Sequence, residues 1–250
     1  MILGVEMVAR RVLAPEDTEP GHLVARVLDE LRALEKHDAA SIRALRRRIS
    51  AEIATAEAGV VFDLAEGLIQ EGFDWEGWEF INSHGAAFAG LTRARLEKLG
   101  ECIETWAQAD AFATVLAGPA WREGLISNAD VDSWARSPDH WWRRIALVST
   151  TILNTRSRWG TGDTQRTLAV VGLLINDRDE TVIKAVSWAL RSLVPWDPRA
   201  VRTFLEAHEG ELAARVKREV RTKLETGLKS RRRSVHSEAS VHSNSETAAP

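Results

Sequence analysis

The stretch DHWWRRIALV (139–148) recurs 40 residues later as DETVIKAVSW (179–188), and this pair decides the fold. Both copies begin with an aspartate and carry a basic residue at the fifth position after it, Arg144 or Lys184. A period near 40 residues with two helices in each unit is typical of HEAT-type solenoids. Each unit of such a solenoid buries one helix face against its neighbours and leaves a concave surface for a partner.

Apolar residues recur with helical spacing through most of the chain, and no segment shows the alternation of a strand. The segments with this spacing are HLVARVLDELRALEKH, SIRALRRRISAEIATAEA, VVFDLAEGLIQ, RARLEKLGECIE, DHWWRRIALVSTTILN, TQRTLAVVGLLIN, DETVIKAVSWALRSLV, PRAVRTFLEAHE and ELAARVKREVRTKLETGL. Glycine and proline mark the breaks between them, for example at Gly118-Pro119. We therefore predict an all-α fold, a HEAT-like helical-repeat solenoid with a concave basic surface.

The domain organisation follows from composition. We predict one HEAT-like α-solenoid domain over residues 21–229, preceded by a poorly ordered N-terminus over residues 1–20. Residues 230–250 are rich in serine and almost free of bulky apolar groups, which is typical of a disordered tail.

Composition also bounds the compartment. The 250 residues are 44% hydrophobic and 28% charged, as in ordinary globular proteins. The single cysteine, Cys102, excludes an internal disulfide and suits a reducing compartment. The longest apolar runs fall well short of the ~20 residues that a membrane span needs, and the first residues lack the features of a signal peptide. We expect a cytoplasmic protein that does not enter a membrane.

Charge is distributed unevenly along the chain. Residues 1–120 carry 12 Lys/Arg and 20 Asp/Glu, a net charge of −8, whereas residues 121–234 carry 21 and 14, a net charge of +7. A basic half is where a polyanion would bind, because phosphate contacts release counterions. Charge segregation without such a role is equally common on this observation alone.

The segment 179–194 predicts a helix with two distinct faces. The residues expected on its core face are Val182, Val186, Ala189 and Leu193. On the opposite side Lys184, Trp188 and Arg191 fall within a stripe of about 60°. A tryptophan is most often a core residue, but here the core face is already filled and the indole lies between two cations. An exposed aromatic on a basic face is typical of nucleic-acid contacts.

The segment ETWAQADAF (104–112) predicts a second functional face. Thr105 with Gln108 three residues later fits a capping box, so a helix is expected to start here with Trp106 in its first turn. Asp110 then lies about 40° from Trp106 on the same face. If the helix instead continues from upstream, Asp110 lies within an apolar stripe and needs a partner or a function. A solvated aspartate beside a packed tryptophan is the plainer alternative.

Other chemistries find little support in the sequence. It contains no glycine-rich phosphate loop and no HExxH, CxxC or GxSxG motif. Arg143 and Arg144 are adjacent and point roughly 100° apart on a helix, so at most one is expected on the concave face.

The motifs TWAQADAF, WWRRIAL and KAVSWALR, in this order and at these separations, resemble the AlkD-like family of DNA alkylation repair glycosylases. The likeness is closest over residues 104–191 and extends over about 60–228. It implies HEAT-like repeats and a monofunctional hydrolase that removes 3-methyladenine and 7-methylguanine from duplex DNA without flipping the base into a pocket.

The resemblance also implies roles for residues. Trp106 and Trp188 would cradle the deoxyribose of the lesion, and Asp110 would be the catalytic carboxylate. Arg144 and Arg191 would contact the DNA backbone. Two further DNA-binding candidates follow from their positions beside these residues, Lys184 and Arg143.

This chemistry agrees with the residues themselves. A purine alkylated at N3 or N7 already carries positive charge and leaves as a neutral base, so the reaction needs no general acid. Positive charge develops on the sugar instead, where a carboxylate and indole faces stabilise it. We expect no metal or organic cofactor, double-stranded DNA as partner and a monomer. Two alternatives remain: a non-catalytic solenoid that binds damaged or branched DNA, and a protein scaffold.

Overall fold

The computed structural model describes residues 21–36 and 38–228, and within these ranges the fold is all-α without a strand. The predictions for residues 1–20 and 230–250, and residue 229 at the predicted domain boundary, lie outside the described residues. In the described part no helix combines the length and the apolar character needed to cross a membrane.

Fourteen α-helices make up the described fold. They are α1 His22–Arg32, α2 Ala39–Glu52, α3 Ala58–Gln70, α4 Asp74–Ser83, α5 Gly85–Ala89, α6 Arg93–Leu99, α7 Trp106–Phe112, α8 Gly118–Arg122, α9 Asn128–Ala135, α10 His140–Asn154, α11 Thr164–Leu173, α12 Glu180–Leu193, α13 Pro198–Ala207 and α14 Ala214–Thr226. A π-helical segment, Ala113–Ala117, joins α7 to α8, and a short 3-10 turn, Arg156–Arg158, follows α10.

The helices pack as a repeat. In one row, which we call the inner row, each helix contacts the next in the order α2, α4, α7, α10, α12 and α14. The remaining helices pack behind this row, with α3 against α4, α11 against both α10 and α12, and α13 against α12. This arrangement confirms the predicted HEAT-like helical-repeat fold.

The repeat seen in the sequence is present in the structure. Asp139 and Asp179 occupy the N-caps of α10 and α12. The Asp139 side chain accepts from one backbone N–H of the first turn, and that of Asp179 accepts from two. The basic residues five positions later, Arg144 and Lys184, line one cavity. Equivalent positions of successive repeats thus face the same surface.

The predicted core face of α12 is confirmed. Its four residues are at most 2% exposed: Val182, Val186, Ala189 and Leu193. The arc of α7 that continues into the π-helical segment is equally buried, with Ala109, Phe112 and Leu116 fully inside. These two buried faces leave the opposite faces of α7 and α12 free to line the inner row.

One predicted break does not occur. The backbone stays helical through Gly118-Pro119, because a π-helical turn precedes it and the helical run continues from α7 into α8. Proline has no N–H to donate, and a wider turn accommodates that loss without ending the helix. A Cβ on Gly118 would lie 2.7 Å from the carbonyl oxygen of Ala113, so the close packing of this turn requires glycine.

Helix α4 is not predicted by the spacing of apolar residues. Its central Gly77 is typical of a helix breaker, yet here it permits close contact with α3, since a Cβ would lie 2.8 Å from the carbonyl oxygen of Ala65. Conversely, the helix predicted over 93–104 ends at Leu99, with Gly100 as its C-cap. The continuous helix considered for ETWAQADAF is therefore wrong.

Candidate active site

A cavity of about 530 Å³ opens on the inner row between α7, α10, α12 and α14. Its lining consists of Trp106, Asp110, Arg144, Thr181, Lys184, Trp188, Arg191, Arg215 and Glu219. Six of the seven residues predicted for the site from sequence thus lie together, and Arg143 is the exception.

The start of α7 positions the first tryptophan and the carboxylate. The capping box predicted from sequence is present: Thr105 Oγ1 accepts from the backbone N–H of Gln108, and Gln108 Oε1 accepts from the N–H of Thr105 at 3.1 Å. Trp106 is the first helical residue and is 61% exposed. Asp110 lies one turn later, so both side chains face the cavity.

A residue that the sequence patterns miss supports this cap. The buried Asp74 of α4 accepts a hydrogen bond from Gln108 Nε2 through its Oδ2 atom. Gln108 therefore bridges two adjacent helices of the inner row. Beside it, burial and the negative charge of Asp74 raise the pKa of the Cys102 thiol to about 11.

The carboxylate of Asp110 is held by Arg144 of α10 in a two-point ion pair. Arg144 Nε donates to Oδ1 at 2.9 Å and Nη2 donates to Oδ2 at 2.8 Å. The remaining Nη1 donates to the backbone carbonyl of Thr181. Burial raises the pKa of Asp110 above its ordinary value, and the hydrogen bonds and charge of Arg144 only partly offset this. The alternative of a solvated aspartate beside a packed tryptophan is wrong, because Trp106 is the exposed partner.

The two adjacent arginines point in different directions, as expected. Arg144 faces the cavity but is only 6% exposed, so its guanidinium is engaged with Asp110 and not presented to a DNA backbone. Arg143 points away: its Nε donates to Asp177 at 2.7 Å, and Nη1 donates to the carbonyls of Ser137 and Pro138. The structure thus separates Arg143 from the cavity that the other predicted residues share.

Helix α12 presents the predicted stripe. Lys184 is exposed, and within the described residues its ammonium has no carboxylate partner. Trp188 is partly buried against the core and contributes the second indole of the cavity. Arg191 donates to Ser187 Oγ at 3.1 Å and lies 3.7 Å from Glu219.

Helix α14 adds a second carboxylate that was not predicted. Glu219 accepts from Ser187 Oγ at 2.7 Å and from Arg215 Nε at 3.0 Å. Burial alone would raise the pKa of Glu219, but the Ser187 hydroxyl and the Arg215 and Arg191 charges hold it below its usual range. Glu219 lies 32 residues after its partner Ser187 of α12, and no sequence spacing predicts a contact over that distance. The sequence therefore gives no signal for Glu219.

The cavity is electropositive overall. Four cations, Arg144, Lys184, Arg191 and Arg215, line it together with two carboxylates. Anions are attracted to such a surface, and two indoles and a carboxylate within it can stabilise a developing positive charge. Within the described ranges no group of three or more His, Cys, Asp or Glu side chains is arranged to hold a metal ion.

Comparison with known proteins gives one match. A family model described as DNA alkylation repair enzyme matches residues 39–224, which is well over half of the chain and includes all nine residues that line the cavity. Searches of curated proteins and of solved structures give no match.

Proposed function

The chain belongs to the DNA alkylation repair enzyme family, and from this premise we propose that it is a DNA glycosylase for positively charged N-alkylated purines. Its role in DNA alkylation repair follows from the family. The proposal adds the reaction: hydrolysis of the N-glycosidic bond of lesions such as 3-methyladenine and 7-methylguanine in duplex DNA. The single observation that supports it most is the Asp110 carboxylate, held by Arg144 in the cavity that Trp106 and Trp188 also line.

The proposed reaction breaks the bond between C1′ of the sugar and the ring nitrogen of the base. The bonding electron pair leaves with the base and neutralises its positive charge, so the base departs without a proton from the enzyme. Positive charge develops on the deoxyribose, and Asp110 stabilises it electrostatically. Water then adds at C1′ and loses a proton, which restores a neutral sugar. Since the leaving group is already activated, the proposal includes no metal or organic cofactor.

The tryptophans supply the second part of the stabilisation. Electron-rich indole faces attract cations, and the effect strengthens when the cation is desolvated. Trp106 and Trp188 lie on different helices and line one cavity with Asp110, so a sugar placed there would meet both rings and the carboxylate.

Two further cations of the cavity define how DNA would approach. Lys184, exposed on the inner row, is the first proposed phosphate contact, and Arg191, which also lies 3.7 Å from Glu219, is the second. Arg144 instead serves Asp110 in this proposal, because its donors are already occupied. We include in the proposal a single solenoid domain over residues 21–229 that acts on duplex DNA as a monomer.

The test is release of free base from duplex DNA that carries 7-methylguanine or 3-methyladenine, with wild type compared to Asp110→Asn. The asparagine retains an oxygen to accept from Arg144 but lacks the charge, so the variant should fold and bind DNA. Loss of one preorganised electrostatic group slows catalysis by roughly 10²–10³-fold, and we expect a decrease of that order. Undiminished release by the variant contradicts the role of Asp110.

A second candidate is a non-catalytic solenoid that binds damaged DNA. The observation that favours it is the closed ion pair, because Arg144 occupies both oxygens of Asp110. The same experiment separates the two: absence of base release by wild type, together with tight binding of the damaged duplex, supports the binding protein.

A further inference from the structure

The loop between α10 and α11, residues 155–163, carries an unusual tryptophan. Trp159 is 78% exposed, and its backbone φ of 59° is the only positive φ among the described non-glycine residues. A bulky side chain in this left-handed region is strained, and strain of this kind persists where the surroundings enforce it and function uses it. Since Trp159 contributes nothing to the core, its position calls for an external partner.

The loop is held in place by backbone hydrogen bonds. The N–H of Trp159 donates to the carbonyl of Arg156 at 3.1 Å, and the N–H of Gly160 donates to Thr155 at 2.9 Å. Farther along, the N–H of Gly162 donates to the carbonyl of Leu153 at 3.0 Å. The indole is therefore presented on a fixed turn.

The loop carries two arginines beside the indole in the sequence. Arg156 and Arg158 are both exposed, and within the described ranges neither has a carboxylate partner; Arg158 donates one hydrogen bond to the carbonyl of Thr114 at 3.3 Å. The Arg156 guanidinium lies over the Trp196 ring at 4.8 Å, and that of Arg122 lies 5.9 Å from the centre of the Trp159 ring. The loop thus combines an exposed aromatic ring with arginines available to an anion.

The loop adjoins the candidate active site. A second cavity, of about 470 Å³, is lined by Arg156, Trp196 and Lys223 together with Trp188 and Arg191. The last two residues also line the cavity that contains Asp110. The surface of the site therefore continues as far as Arg156 at the start of the loop, whereas Arg158 and Trp159 line a neighbouring cavity together with Arg122.

We propose that residues 155–163 form a second, sequence-independent contact with duplex DNA beyond the lesion nucleotide. Arg156 and Arg158 bind backbone phosphates, and the Trp159 indole packs on the sugar and base surface between them. The charge of the loop, and the position of Arg156 in the cavity that adjoins the site, favour DNA over a protein partner. This inference rests on one part of the proposed function, namely that duplex DNA is the ligand that binds at the site.

The arginines are tested by fluorescence anisotropy with an undamaged, end-labelled duplex at several salt concentrations. For the double variant Arg156→Ala/Arg158→Ala we expect weaker binding and a plot of log K against log salt that is shallower by roughly 1–2, because each phosphate contact contributes about 0.9 to the slope. Arg202→Ala, an exposed arginine of the outer helix α13, is the matched control and should bind as wild type does. A double variant with wild-type affinity and slope overturns the proposal.

The tryptophan is tested with Trp159→Gly, since glycine tolerates a φ of 59° and removes the strain. We expect a melting temperature equal to or above that of wild type, with binding of the duplex weakened about tenfold by the lost stacking. Trp75→Ala is the control: this residue is 52% exposed on α4, and its indole donates to Glu79. A lower melting temperature with unchanged binding would assign Trp159 a structural role and overturn the proposal.

Base release distinguishes the loop from the site. With enzyme in saturating excess, the loop variants should release base at the wild-type rate, because Asp110 and its partners are unchanged. If wild type releases no base but the loop variants still bind the duplex more weakly, the proposed glycosylase fails and the loop contact stands. If wild type releases base but the loop variants bind normally, the loop contact fails alone.

Discussion

Replacing Arg144 with alanine should shift the acid limb of base release to higher pH. The carboxylate of Asp110 must be ionised to stabilise a positive sugar, and burial already raises its pKa above the ordinary 3.8. Arg144 opposes that rise through two hydrogen bonds of 2.8 and 2.9 Å and through its charge. Removing Arg144 therefore leaves the rise that burial causes in the pKa of Asp110 without these opposing effects.

The size of the shift follows from the pair. An opposite charge in direct contact lowers a carboxylate pKa by roughly 1–3 units, so its removal should move the acid limb upward by about that amount. The variant should also be less stable near neutral pH. A carboxylate whose folded pKa exceeds its unfolded pKa binds more protons in the folded state, so the free energy of unfolding falls as pH rises between the two values.

The assay is single-turnover base release at saturating enzyme across the acidic and neutral range. Arg143→Ala is the matched control, because Arg143 is the adjacent arginine and pairs with Asp177 outside the cavity. It should lose stability and keep the wild-type acid limb. An Arg144→Ala profile that superimposes on wild type would refute the role of Arg144 in ionising Asp110, and an equal shift in both variants would show that the effect is not specific to the cavity.

Three further outcomes are expected. Trp188→Ala and Trp106→Ala should each slow base release about 5- to 30-fold, because a desolvated cation–π contact contributes roughly 1–2 kcal/mol; equal rates to wild type in single-turnover kinetics would exclude the rings from catalysis. Asp74→Ala should lower the free energy of unfolding by about 1–2 kcal/mol and slow release, since Gln108 loses its acceptor and the α7 cap loosens; thermal melts and the same kinetic assay measure both effects. Binding of undamaged duplex should weaken steeply with salt, with a log–log slope of several units, and a salt-independent affinity would argue against phosphate contacts.

The fold was accessible from sequence because its signals are local and periodic. The 3.6-residue spacing of apolar side chains and the 40-residue repeat predict α10 and α12, together with the stripe of Lys184, Trp188 and Arg191. The sequence-based predictions that fail involve glycine residues. Gly77 permits close helix packing and Gly118 belongs to a π-helical turn, and neither environment can be read from a glycine in isolation.

The site was accessible only in part, because its key contacts join residues far apart in the chain. Trp106, Asp110 and Trp188 were predicted, but the ion pair of Asp110 spans 34 residues and depends on how α7 meets α10. Sequence spacing limits the adjacent arginines to one on the inner face without choosing between them. Glu219 lies on a helix with no motif, so only packing places it in the cavity.

The environment of Cys102 has a consequence for the protein's own survival. It is the only cysteine of the chain, and burial raises its pKa to about 11. Because the thiolate is the nucleophile, a thiol with this pKa reacts slowly: near pH 7.5 roughly one molecule in several thousand is ionised. Electrophiles that methylate purines also methylate thiolates, so an enzyme of alkylation repair works among reagents that could inactivate it. By keeping its one thiol protonated, the repair protein makes itself a poor acceptor for the damage it removes.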